Sequence, residues 1–338
     1  MKTIFVVDDN DVNLLTAETS LSKQYRVFTL PSASAMFELL AKIKPDLILL
    51  DILMPVTNGF EAMKILKSDS RYSDIPVIFL TSRNDSATEA RGFEAGATDF
   101  ICKPFSEPVL FNRIKFHLKI EEIIRERTDN LNKLRDSIVG VLATMVENRD
   151  TMTGKHIERT TQYLGFLMHA MLERGVYADE MESWNLEMVA SSSRLHDVGK
   201  IVITDLILNK PGKLTPEEFD VIKSHAIEGV RIIDTIIDEA GEEAFLQHAK
   251  LFAWRHHEKF DGTGYPDKMS GLEIPLHGRI MALVDVYDAL TSARPYKDAF
   301  SHEKAVEIIT ESSGSHFDPK IVDVFLEINE KFAEYSRT

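Results

Sequence analysis

Two adjacent histidines, His256 and His257, precede an acidic, glycine-rich turn that ends in Tyr265-Pro266. Neutral imidazole is a common protein ligand for transition metals, so two neighbouring rings suggest a shared ion. A pair of half-buried histidines at a helix end has the same spacing without binding anything. The other histidines and carboxylates of the 338-residue chain distinguish these alternatives.

Most side chains able to bind a metal lie in the second half, where ten of the eleven histidines follow residue 150. The candidate ligands are His156, His196, Asp197, His225, His256, His257 and Asp285. One six-coordinate ion cannot use seven side chains and still bind a substrate, whereas two ions that share a carboxylate can. Ion pairs about 3.5–4 Å apart are typical of enzymes that hydrolyse phosphate esters. The set therefore predicts a two-metal hydrolase.

The local spacing of these residues agrees with a shared centre. His196 and Asp197 are adjacent, so both can face one site from a helix end. Lys200 can then contact a phosphate oxygen or hold the Asp197 carboxylate. Asp285 and Asp288 are three residues apart and can face the same way from one helix.

A second polar set follows successive apolar stretches of the first half. Its members are Asp8, Asp9, Asp51, Thr81 and Lys103. Three carboxylates brought together would repel one another unless a hard divalent cation such as Mg²⁺ lay between them. Such a site suits phosphoryl transfer, with Asp51 as the nucleophile and Lys103 balancing the phosphate charge.

Alternating strands and helices are predicted to position this second set. The expected strands cover 2–7, 25–30, 46–51, 75–81 and 98–102, and the helices lie near 11–22, 33–43, 58–67, 85–95 and 106–119. The alternation predicts an α/β domain with a doubly wound five-stranded parallel sheet, whose ligand site lies outside the carboxyl ends of the strands.

After residue 150 the strand pattern disappears and amphipathic helical stretches run to the end. This half is therefore predicted to be all-α. Thr215 and Glu218 have the spacing of a capping box, which places His225 on the third turn of the helix that follows.

A helical connector without proline joins the halves, and its apolar side chains recur every three or four residues. They are Ile120, Ile124, Leu131, Leu134, Ile138, Val141 and Met145. This heptad pattern favours a parallel two-stranded coiled coil and hence a homodimer. A helix packed on its own domain is the alternative, because Arg127 interrupts the stripe. The predicted parts are a domain at 1–120, a linker at 121–147 and a domain at 148–338.

Residues 1–120 resemble the receiver domain of response regulators, through the Leu-Leu-Asp-Ile-Leu-Met-Pro stretch around Asp51 and the strand-end residues. The resemblance implies phosphorylation of Asp51 by a sensor histidine kinase. The Mg²⁺ ligands it implies are Asp9, Asp51 and the backbone of Leu53, assisted by Asp8. The switch residues it implies are Thr81, Phe100 and Lys103.

Residues from about 140 to 335 resemble the HD-GYP domain, a subgroup of the HD phosphohydrolases. The matching motifs are His196-Asp197-Val-Gly-Lys200, Lys210-Pro-Gly-Lys-Leu214, His256-His257-Glu258, Asp261-Gly-Thr-Gly-Tyr265-Pro266, Asp285-Val-Tyr-Asp288 and Arg294-Pro-Tyr-Lys297. The resemblance implies hydrolysis of cyclic di-GMP, a bacterial second messenger, at two divalent ions. Iron or manganese is favoured, although imidazole-rich sites also accept zinc and nickel.

The same resemblance assigns roles to individual residues. The first ion takes His156, His196, Asp197 and Asp285, and the second takes His225, His256 and His257, with Asp197 bridging. Lys200 supports the chemistry, and the substrate contacts are Tyr265, Arg294 and Lys297. Some members place a glutamate four residues before the first histidine and bind a third ion; here that residue is Met152. We therefore expect two ions, with linear pGpG as the main product and slow further cleavage to GMP.

Two alternative functions remain open. One is the same fold acting on another cyclic dinucleotide, such as cyclic GMP–AMP, and the other is a catalytically weak binding or scaffold protein. Proteins with GGDEF domains are the family-level partners that the resemblance suggests.

Composition limits the classes of partner. The net charge of −15 argues against nucleic-acid binding, and no apolar run is long enough to span a bilayer. The early acidic residues predict no signal peptide. Cys102 is the single cysteine, which excludes an internal disulfide, fits a cytoplasmic protein and is expected in the core.

Overall fold

In a computed structural model, the chain is described at residues 1–82, 86–149, 155–241, 243–293 and 298–337. It divides into two compact units, Met1–Leu131 and Asn132–Thr338. Each unit has hydrophobic clusters of its own.

The first unit is built on a five-stranded parallel sheet in the order β2-β1-β3-β4-β5. The strands are β1 (Thr3–Val7), β2 (Arg26–Leu30), β3 (Leu47–Asp51), β4 (Val77–Thr81) and β5 (Asp99–Cys102). The helices that alternate with them are α1 (Asp11–Leu21), α2 (Ala33–Leu40), α3 (Gly59–Ser68) and α4 (Ser86–Glu94), and α5 (Glu107–Glu147) follows. The predicted doubly wound α/β architecture is confirmed.

Apolar side chains cover both faces of this sheet. Ile4 and Val6 of β1 pack in one cluster, whereas Phe5 and Val7 point the other way and pack in a second. Successive residues of a strand face opposite sides, so a strand buried on both faces is apolar throughout. The polar residues are left for the strand ends, where Asp51 closes β3.

Helix α5 is one continuous helix of 41 residues, and the division between the units falls within it. The predicted helix near 106–119 and the predicted connector are therefore a single element. Leu110 and Ile114 are buried against the sheet, and Val139 belongs to a cluster of the second unit.

The apolar stripe of α5 is a different set of side chains, and it is exposed. Leu131 is 66% exposed, Leu134 55% and Val141 60%. The helix thus packs on its own units through other residues, and the coiled coil stays a prediction.

The second unit is helical, as predicted. Its helices are α6 (His156–Glu173), α7 (Ala178–Met181), α8 (Leu186–Ser192), α9 (Asp205–Leu208), α10 (Pro216–Lys223), α11 (His225–Ala240), α12 (Ala244–Arg255), α13 (Leu276–Thr291), α14 (His302–Glu311) and α15 (Pro319–Ser336). Its largest core joins α6, α13 and α15, where the ring of Tyr163 stacks on Phe332 at 4.6 Å and meets Tyr287 edge-on at 5.3 Å. Within the described ranges, no helix combines the length and apolarity that a bilayer crossing requires.

Two local expectations were wrong. Cys102 is exposed rather than buried, because it ends β5 at the edge of the sheet. Thr215 and Glu218 do form the capping box, but α10 ends at Lys223. The Ser224 N–H bonds the carbonyls of both residues three and four positions earlier, and this tightened turn ends α10. His225 consequently begins α11 instead of lying within α10.

Candidate functional site

The seven predicted ligands of the second half come together in two groups. One group is His156, His196 and Asp285, and the other is Asp197, His225, His256 and His257. Within each group, one ligand atom from every residue lies within 4.8 Å of the others. Residues as far apart in sequence as His156 and Asp285 therefore form two sites suited to a metal ion.

Most of these ligands lie at helix ends, where the backbone leaves the helical path. His156 begins α6, His225 begins α11, and His256 is the residue that caps the end of α12. His196 and Asp197 lie between two short 3₁₀ turns, Ser193–Leu195 and Val198–Val202. Asp285 is the exception, within α13.

Gly199 allows the turn after Asp197 to approach α11. A Cβ atom at this position would lie 1.9 Å from the carbonyl oxygen of His225 and 2.4 Å from the backbone nitrogen of Gly229. Any side chain would push the turn from the helix, so glycine is required for Asp197 to lie beside His225.

Asp197 faces both groups with different oxygen atoms. Its Oδ2 lies 3.4 Å from His196 Nε2 in the first group. Its Oδ1 lies 3.3 Å from His225 Nε2 and 3.7 Å from His256 Nε2 in the second. The two oxygens of this carboxylate thus face different groups, and its bridging of two ions stays a prediction.

Four imidazoles are oriented by bonds at Nδ1. The acceptors are Ser193 O for His196 (2.9 Å), Ile222 O for His225 (2.7 Å), Phe252 O for His256 (2.9 Å) and Asp288 Oδ2 for His156 (2.8 Å). A carbonyl or carboxylate oxygen only accepts, so Nδ1 donates in each case. Each neutral ring is then left with a lone pair on Nε2, the atom that can bind a metal.

The imidazole nitrogens that face into the site have lone pairs available for cations. His225 Nε2 and His256 Nε2 are 3.2 Å apart, although both rings already donate from Nδ1. His156 Nε2 is buried and has no hydrogen-bond partner among the described residues. Facing lone pairs repel unless a cation lies between them, and imidazole with carboxylate suits iron, manganese, zinc or nickel.

Burial and local charge set the protonation of these groups. Burial lowers the pKa of His225 to about 4 and that of His257 well below its usual value, so both rings are neutral near pH 7. Burial opposes ionisation of Asp197, but the Lys200 ammonium, assisted by the neighbouring His196, outweighs it and lowers the pKa of Asp197 well below normal. Burial also disfavours a charged His196, yet the Asp197 carboxylate raises its pKa.

Asp288 and Arg159 support His156, although neither had a predicted role. Asp285 Oδ1 lies 3.6 Å from His156 Nε2, and Asp288 Oδ2 lies 2.8 Å from Nδ1, so both carboxylates face one ring. Arg159 in turn bonds both oxygens of the buried Asp288. The three-residue spacings of Asp285 to Asp288 and of His156 to Arg159 place each pair on one face of its helix, but they do not indicate that the two helices are neighbours.

Tyr265 lies at the edge of the second group. Its ring centroid is 4.6 Å from that of His257, and its backbone N–H donates to the His257 carbonyl. Buried Glu258 holds the loop by accepting bonds from the N–H groups of Asp267 (2.8 Å) and Met269 (3.1 Å). The sequence places Glu258 in a motif with His256 and His257 but does not indicate this function.

Lys200 was predicted to contact either a phosphate oxygen or the Asp197 carboxylate, and in the structure it contacts Asp197. Lys200 Nζ lies 2.8 Å from Asp197 Oδ2. Three other residues with predicted roles, Met152, Arg294 and Lys297, lie outside the described residues.

The predicted carboxylate set of the first unit also comes together. Oxygens of Asp8, Asp9 and Asp51 lie within 4.8 Å of one another. Lys103 Nζ is 2.6 Å from Asp8 Oδ2 and 2.9 Å from Asp51 Oδ2. Burial raises the pKa of Asp51 although Lys103 opposes this, and the Leu53 backbone donates a bond to the Asp51 side chain.

Two other residues predicted as switches, Thr81 and Phe100, lie in β4 and β5. Thr81 ends β4 and is buried. Phe100 is also buried, with ring centroids 5.7 Å from Phe79 and 4.9 Å from Phe93. Phe100 pairs with Phe79 and Thr81 with Cys102 across β4 and β5, and the switch roles of Phe100 and Thr81 stay predictions.

Comparison with known proteins identifies both units. The family model of the HD domain matches residues 140–321, and that of the response regulator receiver domain matches residues 4–115. The chain is 38% identical to a probable cyclic di-GMP phosphodiesterase of Vibrio cholerae serotype O1, over 98% of this chain and 80% of that protein. It is 36% identical to the cyclic di-GMP phosphodiesterase response regulator RpfG of Xanthomonas campestris pv. campestris, over 83% and 75%.

A third relative has a different stated substrate. The 3'3'-cGAMP-specific phosphodiesterase 2 of Vibrio cholerae serotype O1 is 38% identical, over 60% of this chain and 36% of that protein.

Proposed function

Because the chain belongs to the HD-domain family and is a response regulator with a receiver domain, we propose that it hydrolyses cyclic di-GMP under the control of phosphorylation. HD domains are metal-dependent phosphohydrolases. The observation that carries the proposal is Asp197, whose two oxygens face two separate ligand groups. A carboxylate in this position suits a pair of ions acting on one phosphodiester.

Each side chain of the two groups has a proposed part in binding. The first ion takes His156, His196, Asp197 and Asp285, and the second takes Asp197, His225, His256 and His257. Bound divalent ions would polarise the phosphodiester and lower the pKa of an attacking water. The neutral His225 and His257 rings are ready to bind without first losing a proton.

Lys200 and Tyr265 are proposed to act on the substrate. The Lys200 ammonium, 2.8 Å from Asp197 Oδ2, can balance charge that develops on the phosphate oxygens. The Tyr265 ring beside His257 presents an aromatic face to a nucleotide. Arg294 and Lys297 are proposed as phosphate contacts. Met152 in place of a carboxylate supports two ions and linear pGpG as the main product, with slow cleavage to GMP.

The first unit is proposed to regulate this activity. Mg²⁺ held by Asp8, Asp9, Asp51 and the Leu53 backbone would prepare Asp51 for phosphorylation by a sensor histidine kinase. The functional parts proposed are a receiver domain at 1–120, a helical linker at 121–147 that pairs two protomers, and a phosphodiesterase domain at 148–338. Proteins with GGDEF domains are proposed as further partners.

Cyclic di-GMP is the favoured substrate, and cyclic GMP–AMP is the second candidate. Two relatives aligned over most of this chain are named for cyclic di-GMP. The relative named for 3'3'-cGAMP has the same 38% identity to this chain as the first of these relatives, but it aligns with less of the chain. Cyclic GMP–AMP is therefore kept as the alternative substrate.

The test is turnover of each dinucleotide by protein purified anaerobically and analysed for metal. We expect two ions per chain, preferential cleavage of cyclic di-GMP and linear pGpG as the main product. The double variant His196→Ala, Asp197→Ala removes one ligand from each side and should abolish cleavage. Hydrolysis that persists in this variant, or its absence from wild type with two bound ions, would defeat the proposal.

A further inference from the structure

Glu147, the last residue of α5, contacts the start of the helix that carries the first metal ligand. Its side chain is buried, with 7% of its surface exposed. Glu147 Oε1 accepts a hydrogen bond of 3.0 Å from the backbone N–H of His156. The end of one helix therefore binds the first residue of another, and that residue is a predicted ligand.

This contact does the work of a helix cap. The first N–H groups of α6 need acceptors from outside the helix. Lys155, which precedes α6, has a side chain that only donates hydrogen bonds and cannot supply one. A carboxylate at a helix N-terminus both accepts such bonds and interacts favourably with the helix dipole. Glu147 provides this from α5.

The same end of α5 borders the two ligand groups. A cavity of about 10 Å³, about the size of one water molecule, is lined by Glu147 and Val146 together with His156, Asp197 and Lys200. The Glu147 carboxylate is not among the described ligand atoms that cluster around His156. Its contact with His156 is through the backbone.

We propose that Glu147 is a positioning residue that holds His156 at the first metal site, so that displacement of the end of α5 changes the affinity of that site. This inference rests on the proposed two-metal function. Glu147 bonds the backbone of His156 and Asp288 bonds its Nδ1, whereas Asp285 faces Nε2 at 3.6 Å as a candidate ligand of the same ion. Only the first of them lies on α5, which extends back to Glu107.

Binding of Mn²⁺ to metal-free protein, measured by competition with a chromogenic chelator, tests the proposal without requiring hydrolysis. In Glu147→Ala, one of the two ions should bind about 10–100-fold more weakly while the other keeps its affinity. Glu147→Gln keeps an oxygen that can accept the His156 N–H and should restore most of the loss. Glu126→Ala, at an exposed position of the same helix, is the matched control and should bind like wild type.

A double-variant cycle separates positioning from general destabilisation. If Glu147 acts through His156, then Glu147→Ala should cause no further loss of Mn²⁺ affinity in a His156→Ala background. Equal affinities of wild type and Glu147→Ala for both ions would overturn the inference, whatever the activity toward cyclic di-GMP. An equal loss in the wild-type and His156→Ala backgrounds would also overturn it. Failure of the proposed substrate would instead leave the two Mn²⁺ affinities and their response to Glu147 intact.

Discussion

The group that accepts the Nδ1–H bond of His156 is charged, whereas the acceptors for His196, His225 and His256 are neutral. His196, His225 and His256 donate from Nδ1 to backbone carbonyls, whereas His156 donates to the carboxylate of Asp288. A carboxylate partner makes an imidazole more basic and a stronger metal ligand than a carbonyl partner does. Arg159 keeps Asp288 ionised, since its guanidinium and His156 together lower the pKa of this carboxyl against the effect of burial.

Asp288→Asn should weaken Mn²⁺ binding to the group of His156, His196 and Asp285 by about 10–100-fold, because a neutral amide orients the His156 ring less firmly than the carboxylate that accepts its Nδ1–H. The second group should keep its affinity. Competition titration of metal-free protein measures both constants. Asp323→Asn, at an exposed position of α15, is the control, and equal binding by all three proteins would contradict this role.

At the residue scale, the two groups of candidate ligands could be predicted from residue types and motifs, because histidine and aspartate have few other reasons to occur in this pattern. Asp288 and Arg159 act through an ion pair between α13 and α6, and Glu147 acts through a backbone N–H. Such contacts depend on which helices are neighbours, and one chain's spacing does not encode that. They follow from the packing of α5, α6 and α13 in the folded unit.

At the scale of elements, α5 combines two surfaces. Its buried residues bind it to the units at either end, and its exposed stripe contains Leu131 and Leu134. Strand positions could be predicted to within two residues because continuous apolar runs mark buried parallel strands. It could not be predicted that α5 is one continuous helix, because a helix packed on a sheet and a coiled-coil segment have similar apolar periodicity.

Leu131→Lys combined with Leu134→Lys should convert the proposed dimer to a monomer in analytical ultracentrifugation, because charges in a coiled-coil seam lose the apolar contact. Thermal stability of each unit should change little, since both side chains are exposed. The control pair, Glu122→Lys with Asp129→Lys, places lysines on the opposite side of α5 and should remain dimeric. A wild-type protein that is monomeric with and without beryllofluoride would refute the paired linker.

Helices α12 and α13 are joined by a histidine pair away from the metal groups, in which His277 is buried and His248 half-buried. His248 Nδ1 lies 2.7 Å from His277 Nε2, and burial lowers the pKa of His277 to about 3. The unfolded chain has a pKa near 6.5 at this position and takes up a proton that the folded chain excludes. The stability contributed by the neutral ring is therefore complete above about pH 6.5 and is lost as pH falls toward 3.

His277→Gln should reduce the dependence of unfolding free energy on pH between pH 4 and 6. The reduction should approach about 1.4 kcal/mol per pH unit, the value for one proton. Urea unfolding of metal-free protein at several pH values measures this slope. His169→Gln, at an exposed position of α6, is the control. An unchanged slope in His277→Gln would show that the ring is protonated in the folded chain.

At the scale of the whole molecule, two different chemical sites lie in two units, and α5 belongs to both. Beryllofluoride with Mg²⁺ should change the rate of cyclic di-GMP hydrolysis if the receiver controls the phosphodiesterase. Coupling energies of about 1–3 kcal/mol correspond to changes of about 5–150-fold. Asp51→Asn should keep the basal rate and lose the response. The same response in wild type and Asp51→Asn would exclude Asp51 as its origin.

The dependence of hydrolysis on bound ions tests the two-metal centre most directly. Metal-free protein is titrated with Mn²⁺ under anaerobic conditions, while bound ions per chain and cleavage of cyclic di-GMP are measured in the same samples. Because Asp197 faces both groups, we expect little cleavage with one ion per chain and a steep rise as the second binds. Full activity at one ion per chain, or no activity with both groups filled, would contradict the account.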